Sequence, residues 1–169
     1  MKRFDRSFNK LIGKPCLGVK RGWGSFLTME FGEPHLKIHE PRESTSEFKK
    51  VREAAARRSA YIRGDWHFWI YCCEWGVFDR SDKLVGDTSS KKSIDRAAQF
   101  LNGQALVASA LIPRGMHTVF EFDLGARLET KPYNRTGEQW MLYEPDGKVL
   151  TVRADKRYSY GLEIGRAHV

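Results

Sequence analysis

The sequence predicts an α+β domain, mainly antiparallel β, built from two diverged β-meander repeats with two helices. Three observations carry that expectation: short alternating apolar runs, turn signals between them, and an echo of the second half in the first. LIGK (Leu11 to Lys14) stands beside LNGQ (Leu101 to Gln104), and MEFG (Met29 to Gly32) beside FEFDLG (Phe120 to Gly125). LKIHEP (Leu36 to Pro41) then falls beside LETKPY (Leu128 to Tyr133), and GDWHFWIY (Gly64 to Tyr71) beside GEQWMLYE (Gly137 to Glu144). The spacing is 90 residues at Leu11/Leu101, 92 at Leu36/Leu128 and 74 at Trp66/Trp140, so the first copy carries about 18 extra residues between Pro41 and Gly64. Order and spacing together suggest a tandem duplication.

Along the chain, residues 1–10 read as a polar, basic arm anchored by Phe4 and Phe8. Pro15 to Lys20 is a first strand, and Arg21-Gly22-Trp23-Gly24 a turn, because glycine reaches φ > 0 without strain. Ser25 to Phe31 alternates as a strand with one apolar face. His35 to His39 is a short strand with Leu36 and Ile38 on one face and His35, Lys37 and His39 on the other. A helix is expected over 44–62, capped by Ser44 or Thr45, free of glycine and proline, with Phe48, Val51 and Ala55 as its apolar stripe.

Trp66 to Trp75 is apolar on both faces, as a central strand would be. Gly76 to Ser90 reads as a polar connection, and a helix over 89–100, capped by Ser89 or Ser90, links the repeats. In the second repeat, Ala105 to Ile112 and Met116 to Phe122 flank Pro113-Arg114-Gly115. Ala126 to Lys131 follows, then Glu138 to Glu144 and Lys148 to Ala154 around Pro145-Asp146-Gly147. Tyr158, Tyr160, Leu162 and Ile164 add an edge strand. The expected domain spans 1–169, with a first repeat over 11–75, a second over 101–154, and the meanders packed as a barrel or face to face.

A length of 169 residues suffices for one self-supporting core, and 41% hydrophobic residues with 30% charged residues exclude wholesale disorder. Three cysteines, two of them adjacent, form no disulfide framework. With no apolar run after the basic N-terminus and no stretch long enough to span a bilayer, a cytoplasmic protein without signal peptide is expected. The net charge of +8 favours acidic partners.

The candidate chemistry is sparse. His35 and His39 lie about 13 Å apart along a strand, too far to chelate one ion, so no metal is expected. Cys73 with His67, or Cys16 with a histidine, lacks any local signature of a nucleophile–base pair. Glu30 and Glu121, at matched positions, read as cross-strand partners of Lys or Arg. Gly22-Trp23-Gly24 lacks the context of a phosphate loop, no cofactor is implied, and an enzyme is not expected.

The expected basic helix is the stronger candidate. Arg42 to Arg63 holds seven Lys/Arg against three Glu, and it is the piece present in one copy only. Arg52, Arg57, Arg58 and Arg63 suit bidentate pairing with carboxylates or phosphates, while Lys49 and Lys50 act as point charges. Trp23, at a hairpin tip, suits an interface anchor or a stacking platform.

The pattern formed by Leu11, Gly13, Phe31, Gly32, Leu36, Ile38 and Trp66, echoed by Leu101, Gly103, Phe122, Gly125, Leu128 and Trp140, resembles small bacterial β-rich domains of unknown function. Immunity-type proteins of toxin–antitoxin neighbourhoods are among them, and the resemblance implies a scaffold rather than an activity. The expected function is a non-catalytic protein-binding module of immunity, inhibitor or adaptor type, engaging an acidic surface through the inserted helix. The alternative is a nucleic-acid-binding accessory protein contacting DNA or RNA phosphates through the same helix.

Overall fold

In the computed structural model, which describes residues 2–162, the chain runs α1 (Lys2–Phe8), β1 (Leu17–Arg21), β2 (Leu27–Phe31), β3 (His35–His39), α2 (Lys49–Ala55), β4 (Ser59–Arg63), β5 (Trp66–Ile70), β6 (Cys73–Asp79) and β7 (Asp82–Gly86). It continues through α3 (Lys91–Leu101), β8 (Leu106–Ile112), β9 (His117–Phe122), β10 (Ala126–Pro132), β11 (Glu138–Tyr143), β12 (Lys148–Arg153) and β13 (Tyr158–Leu162). Thirteen strands and three helices are therefore present among the described residues, all strand pairs antiparallel. The expected edge strand is β13, while its expected residue Ile164 lies outside the described residues.

Four segments differ from expectation. The N-terminal arm is a helix, because Phe4 and Phe8, four residues apart, share one helical face and are both buried. The run Trp66 to Trp75 is two strands in different sheets. Ile70 and Cys73 are both buried with exposed Cys72 between, so the inward phase changes at Tyr71–Cys72 and each half has one buried face. The supposed polar connection after Gly76 is the β6–β7 hairpin, turned tightly with Arg80 at φ 53°.

The fourth is the helix expected over 44–62. Only Lys49–Ala55 is helical, it buries no residue, and its N-cap is Phe48 with no side-chain cap rather than Ser44 or Thr45. Without a surface to pack on, the stripe of Phe48, Val51 and Ala55 cannot hold a long helix in place. The segment beyond it finds better partners in β3, with Tyr61 opposite Lys37 and Ile62 opposite Leu36.

Strand order is β1-β2-β5-β11-β12-β13 in one sheet, β7-β6-β10-β9-β8 in the second, and β3-β4 in a separate ribbon. Each large sheet is completed by strands from the other half of the chain. The row Met29, Phe68, Leu142 and Leu150 across β2, β5, β11 and β12 is matched by Phe120, Leu128, Val77 and Val85 across β9, β10, β6 and β7. All eight are buried.

Between the sheets, Phe8 of α1 contacts Phe68 and Trp140 on one side and Phe120 on the other, at centroid distances of 5.6, 5.4 and 5.1 Å. Phe68 and Phe120 also meet edge-on at 5.1 Å. Such ring pairs add roughly 0.5–1.5 kcal/mol each beyond their burial.

Backbone bonding repeats the correspondence. Gly13 N–H donates to Leu106 O and Gly103 N–H to Cys16 O, each at 2.7 Å; Leu106 N–H donates to Lys14 O and Cys16 N–H to Gln104 O. The halves also meet at a Pro15–Ala105 bridge, and Gly13 and Gly103 have φ of 80° and 90°. The first two landmark pairs of the sequence thus hold matched places in the pairing.

The other two do not. β3 sits outside the large sheets, and the strand placed like β10 is β5, while that placed like β11 is β6. This alignment sets Trp75 on Trp140, both fully buried, and WGVFDRSDKLV beside WMLYEPDGKVL.

Between β2 and β5 lies the appendage, residues 32–65, where β9 and β10 are joined by Asp123, Leu124 and Gly125 alone. It leaves and rejoins through two glycines. Gly32 has φ 93°, and a Cβ on Gly64 would lie 2.2 Å from Phe31 O.

Replacing Phe8 by Ala is expected to cost about 3–5 kcal/mol in urea unfolding, the usual range for a buried phenylalanine. A loss near zero would mean that α1 is not part of the core.

Candidate functional site

Lys49, Lys50 and Arg52 lie on α2, Arg57 and Arg58 in the link to β4, and Arg63 at the end of β4. Trp23, 81% exposed, stands on the β1–β2 turn at the other end of β2 from the appendage root. A five-residue strand separates those two places, roughly 17 Å at its usual rise. One continuous patch of all seven candidates is therefore not what the fold builds.

Three of the six candidate cations, Lys49, Arg52 and Arg58, pair within the appendage. Lys49 pairs with Glu53 at 3.7 Å and Arg58 with Glu40 at 2.8 Å, both exposed. Exposed pairs of this kind contribute little to stability. Arg52 donates to the carbonyls of Ser46 and Glu47 at 2.8 and 2.9 Å, so this guanidinium holds the loop before α2. Arg42 N–H donates to Ala55 O, closing the same loop, and Arg42, Arg52 and Pro41 border an open hollow beside α2.

What the sequence reading missed is the apolar half of this surface. Leu36 (70% exposed), Ile38 and Ile62 lie on one face of the β3–β4 ribbon, and Phe48 (68% exposed) and Val51 are exposed beside and on α2. The opposite ribbon face carries His35, Lys37, His39, Tyr61 and Arg63. The signal for the second strand was present: Ser59 to Arg63 alternates, with Tyr61 and Ile62 favouring strand over helix.

The appendage is fastened at its root by one buried carboxylate. Glu30 of β2, 4% exposed, accepts from Arg63 Nη1 at 2.8 Å and from His67 Nδ1 at 2.7 Å on the same oxygen. Burial by itself raises the Glu30 carboxyl, but the hydrogen bonds and charges of His67 and Arg63 outweigh it and hold the group below its ordinary value of 4.5. Lys20 and Arg63 both lie over the Tyr61 ring, at 4.9 and 5.7 Å, adding cation–π contacts beside the root. A cleft of about 240 Å³ between the ribbon and the sheet is lined by Glu30, His35, Lys37, Arg63, His67 and Tyr143, among others.

Glu144 borders the same cleft and is likewise neutralised, accepting from Ser7 at 2.6 Å and Lys10 at 3.1 Å, with Arg3 at 3.5 Å. Glu121 is exposed in the other sheet and shares no site with Glu30.

The cysteine pairings lack nucleophilic character. Burial pushes the Cys16 thiol up to about 12 and Cys73 higher still, and Cys16 donates to Leu101 O at 2.9 Å. Among the described residues, no three His, Cys, Asp or Glu gather as a metal site, and no helix is long and apolar enough to cross a membrane. Set against known protein families, characterised proteins and solved structures, the chain finds no match.

Because the Glu30 carboxyl is depressed on folding, its stabilisation is fully present above about pH 4.5 and is lost as pH falls through the depressed value. Glu30→Gln is expected to cost about 1–3 kcal/mol at neutral pH, the range for a charged hydrogen-bond partner removed from a buried site. Urea titrations across pH check the sign: the gap between wild type and variant should close only on the acid side.

Proposed function

We propose that the chain is a non-catalytic protein-binding module that engages an acidic, partly apolar partner surface through the appendage. The observation that carries this is the helix α2, which buries nothing of its own chain. An ordered helix with no buried face contributes nothing to the core; exposed apolar groups ringed by charge mark interaction sites. Eight Lys/Arg stand against four Glu between residues 35 and 63, which sets the sign of the partner. Aliphatic side chains favour protein over nucleic acid here, because Leu36, Ile38, Ile62 and Val51 offer nothing to phosphates and Phe48 is the one ring beside them that could stack on a base. The scaffold is of immunity, inhibitor or adaptor type, and three unbridged cysteines suit a cytoplasmic setting.

The same reading takes the two halves as a diverged duplication packed face to face, with the appendage inserted into the first copy. Its support is the matched pairing of the two strand rows and the three-residue turn that stands where the appendage would be in the second. On this view the scaffold is complete without residues 32–65, and the inserted piece is retained for binding.

Replacing residues 32–65 by Asp-Leu-Gly tests both parts. Wild type and variant are both expected to unfold cooperatively, with acidic proteins cross-linking to wild type and not to the variant. Undiminished cross-linking would reject the appendage as the binding element, and an unfolded variant would reject the duplicated scaffold. Micromolar binding of RNA or DNA near physiological salt, with a steep salt slope that flattens in the variant, would instead select the nucleic-acid alternative.

A further inference from the structure

Resting on the appendage as the binding element, we propose that the outer edge of β3 is a strand-addition site. Its occupant is an extended segment of a protein partner in which acidic and apolar residues alternate. β3 pairs with β4 alone, all five of its residues are exposed, and no backbone group from elsewhere bonds to it among the described residues.

Edge strands present a row of unpaired N–H and C=O groups, and proteins ordinarily blunt them with proline, a bulge, a charged side chain or a covering element. β3 has no proline within His35–His39, and its register against β4 runs unbroken from His35↔Arg63 to His39↔Ser59. The edge is therefore regular, with Lys37 as its one charged side chain, and a strand that complements that charge is the one it admits.

The two faces of the ribbon specify what sits beside that edge. Leu36 and Ile38 lie on one side, with Ile62 and Ala60 opposite them on β4. Lys37, flanked by His35 and His39, lies on the other, with Arg63 and Tyr61 across. A strand docked on β3 continues both faces, because side chains alternate with period two. Its apolar side chains extend the Leu36–Ile38 face and its carboxylates fall beside Lys37. Main-chain bonding supplies affinity in this mode, and the alternating side chains supply selectivity. A like-charged strand is rejected, since equal charges directly opposite in a sheet destabilise the pair.

The probe is a labelled, capped heptapeptide, Glu-Val-Asp-Ile-Glu-Val-Asp, titrated into the full chain by fluorescence polarisation. Two further peptides carry N-methyl groups, one on the odd and one on the even positions, so that only one set removes the N–H groups facing β3. The expected result is saturable binding, lost by about tenfold or more for one methylated peptide and nearly unchanged for the other. Lys37→Glu should weaken the parent peptide to a similar degree.

Equal binding of both methylated peptides overturns strand addition. If that binding is still lost in Lys50→Glu/Arg57→Glu, the appendage reading survives and only its mode is wrong. No saturable binding of the parent peptide, or displacement of it by single-stranded RNA through N-methyl-insensitive contacts, also overturns the proposal.

Discussion

The contact on which the whole architecture depends is the crossing of the chain from one sheet to the other after Ile70. Beyond it, β6 leaves its own half to pair with β10, and β11 later makes the reverse journey to pair with β5. Neither sheet can reach its full width without strands supplied by the other half. Phe8, Phe68, Phe120 and Trp140 then fill the space that this exchange encloses. Because most of the contacts formed are distant in sequence, the halves cannot unfold independently, and cooperative behaviour follows from the topology itself.

The appendage obeys a different physics. It contains no residue of the core cluster, its strands pair only with each other, and its root is set by two glycines and one ion-paired carboxylate. A unit held this way has a local stability well below that of the scaffold, because few buried apolar contacts oppose its release. Glu30 thus separates two regimes: on one side a packed interior, on the other a surface free to adapt its exposed aliphatic groups. The same carboxylate also fixes His67 in β5, so β2 and β5 of the sheet and β4 of the appendage share one electrostatic joint.

Much of the second half was legible from the sequence. Ala105 to Arg153 contains alternating runs bounded by Pro-Arg-Gly and Pro-Asp-Gly turns, and each run became a strand, because local propensity and long-range pairing agree there. Ser90 was readable as a cap, and its side chain accepts from Ser93 N–H. The first half was harder for identifiable reasons. The phase change at Tyr71–Cys72 is invisible in a run apolar on both sides, since hydrophobicity alone does not say which sheet a residue faces. The Asp79-Arg80-Ser81-Asp82 turn carries no glycine or proline. For the site, the positive charge was plain, but the ribbon that displays it depends on a pairing between residues 35–39 and 59–63 that helix propensity hid. The Glu30 joint was visible only as a glutamate in a strand, because its partners come from β4 and β5.

An open edge such as that of β3 carries a hazard as well as an opportunity, since edges of identical chains are the nearest available mates at high concentration. Two copies aligned edge to edge would bring Lys37 toward a second Lys37 or its histidine neighbours, with Arg63 close behind in each ribbon. Concentrated cations in a shared strip repel, and the exposed leucine and isoleucine on the reverse face then lack the backbone ladder needed to hold them together. The lysine at the centre of β3 therefore works as a gatekeeper against self-association. Neutralising it, by acetylation for instance, would remove that repulsion and leave the edge open to sheet growth.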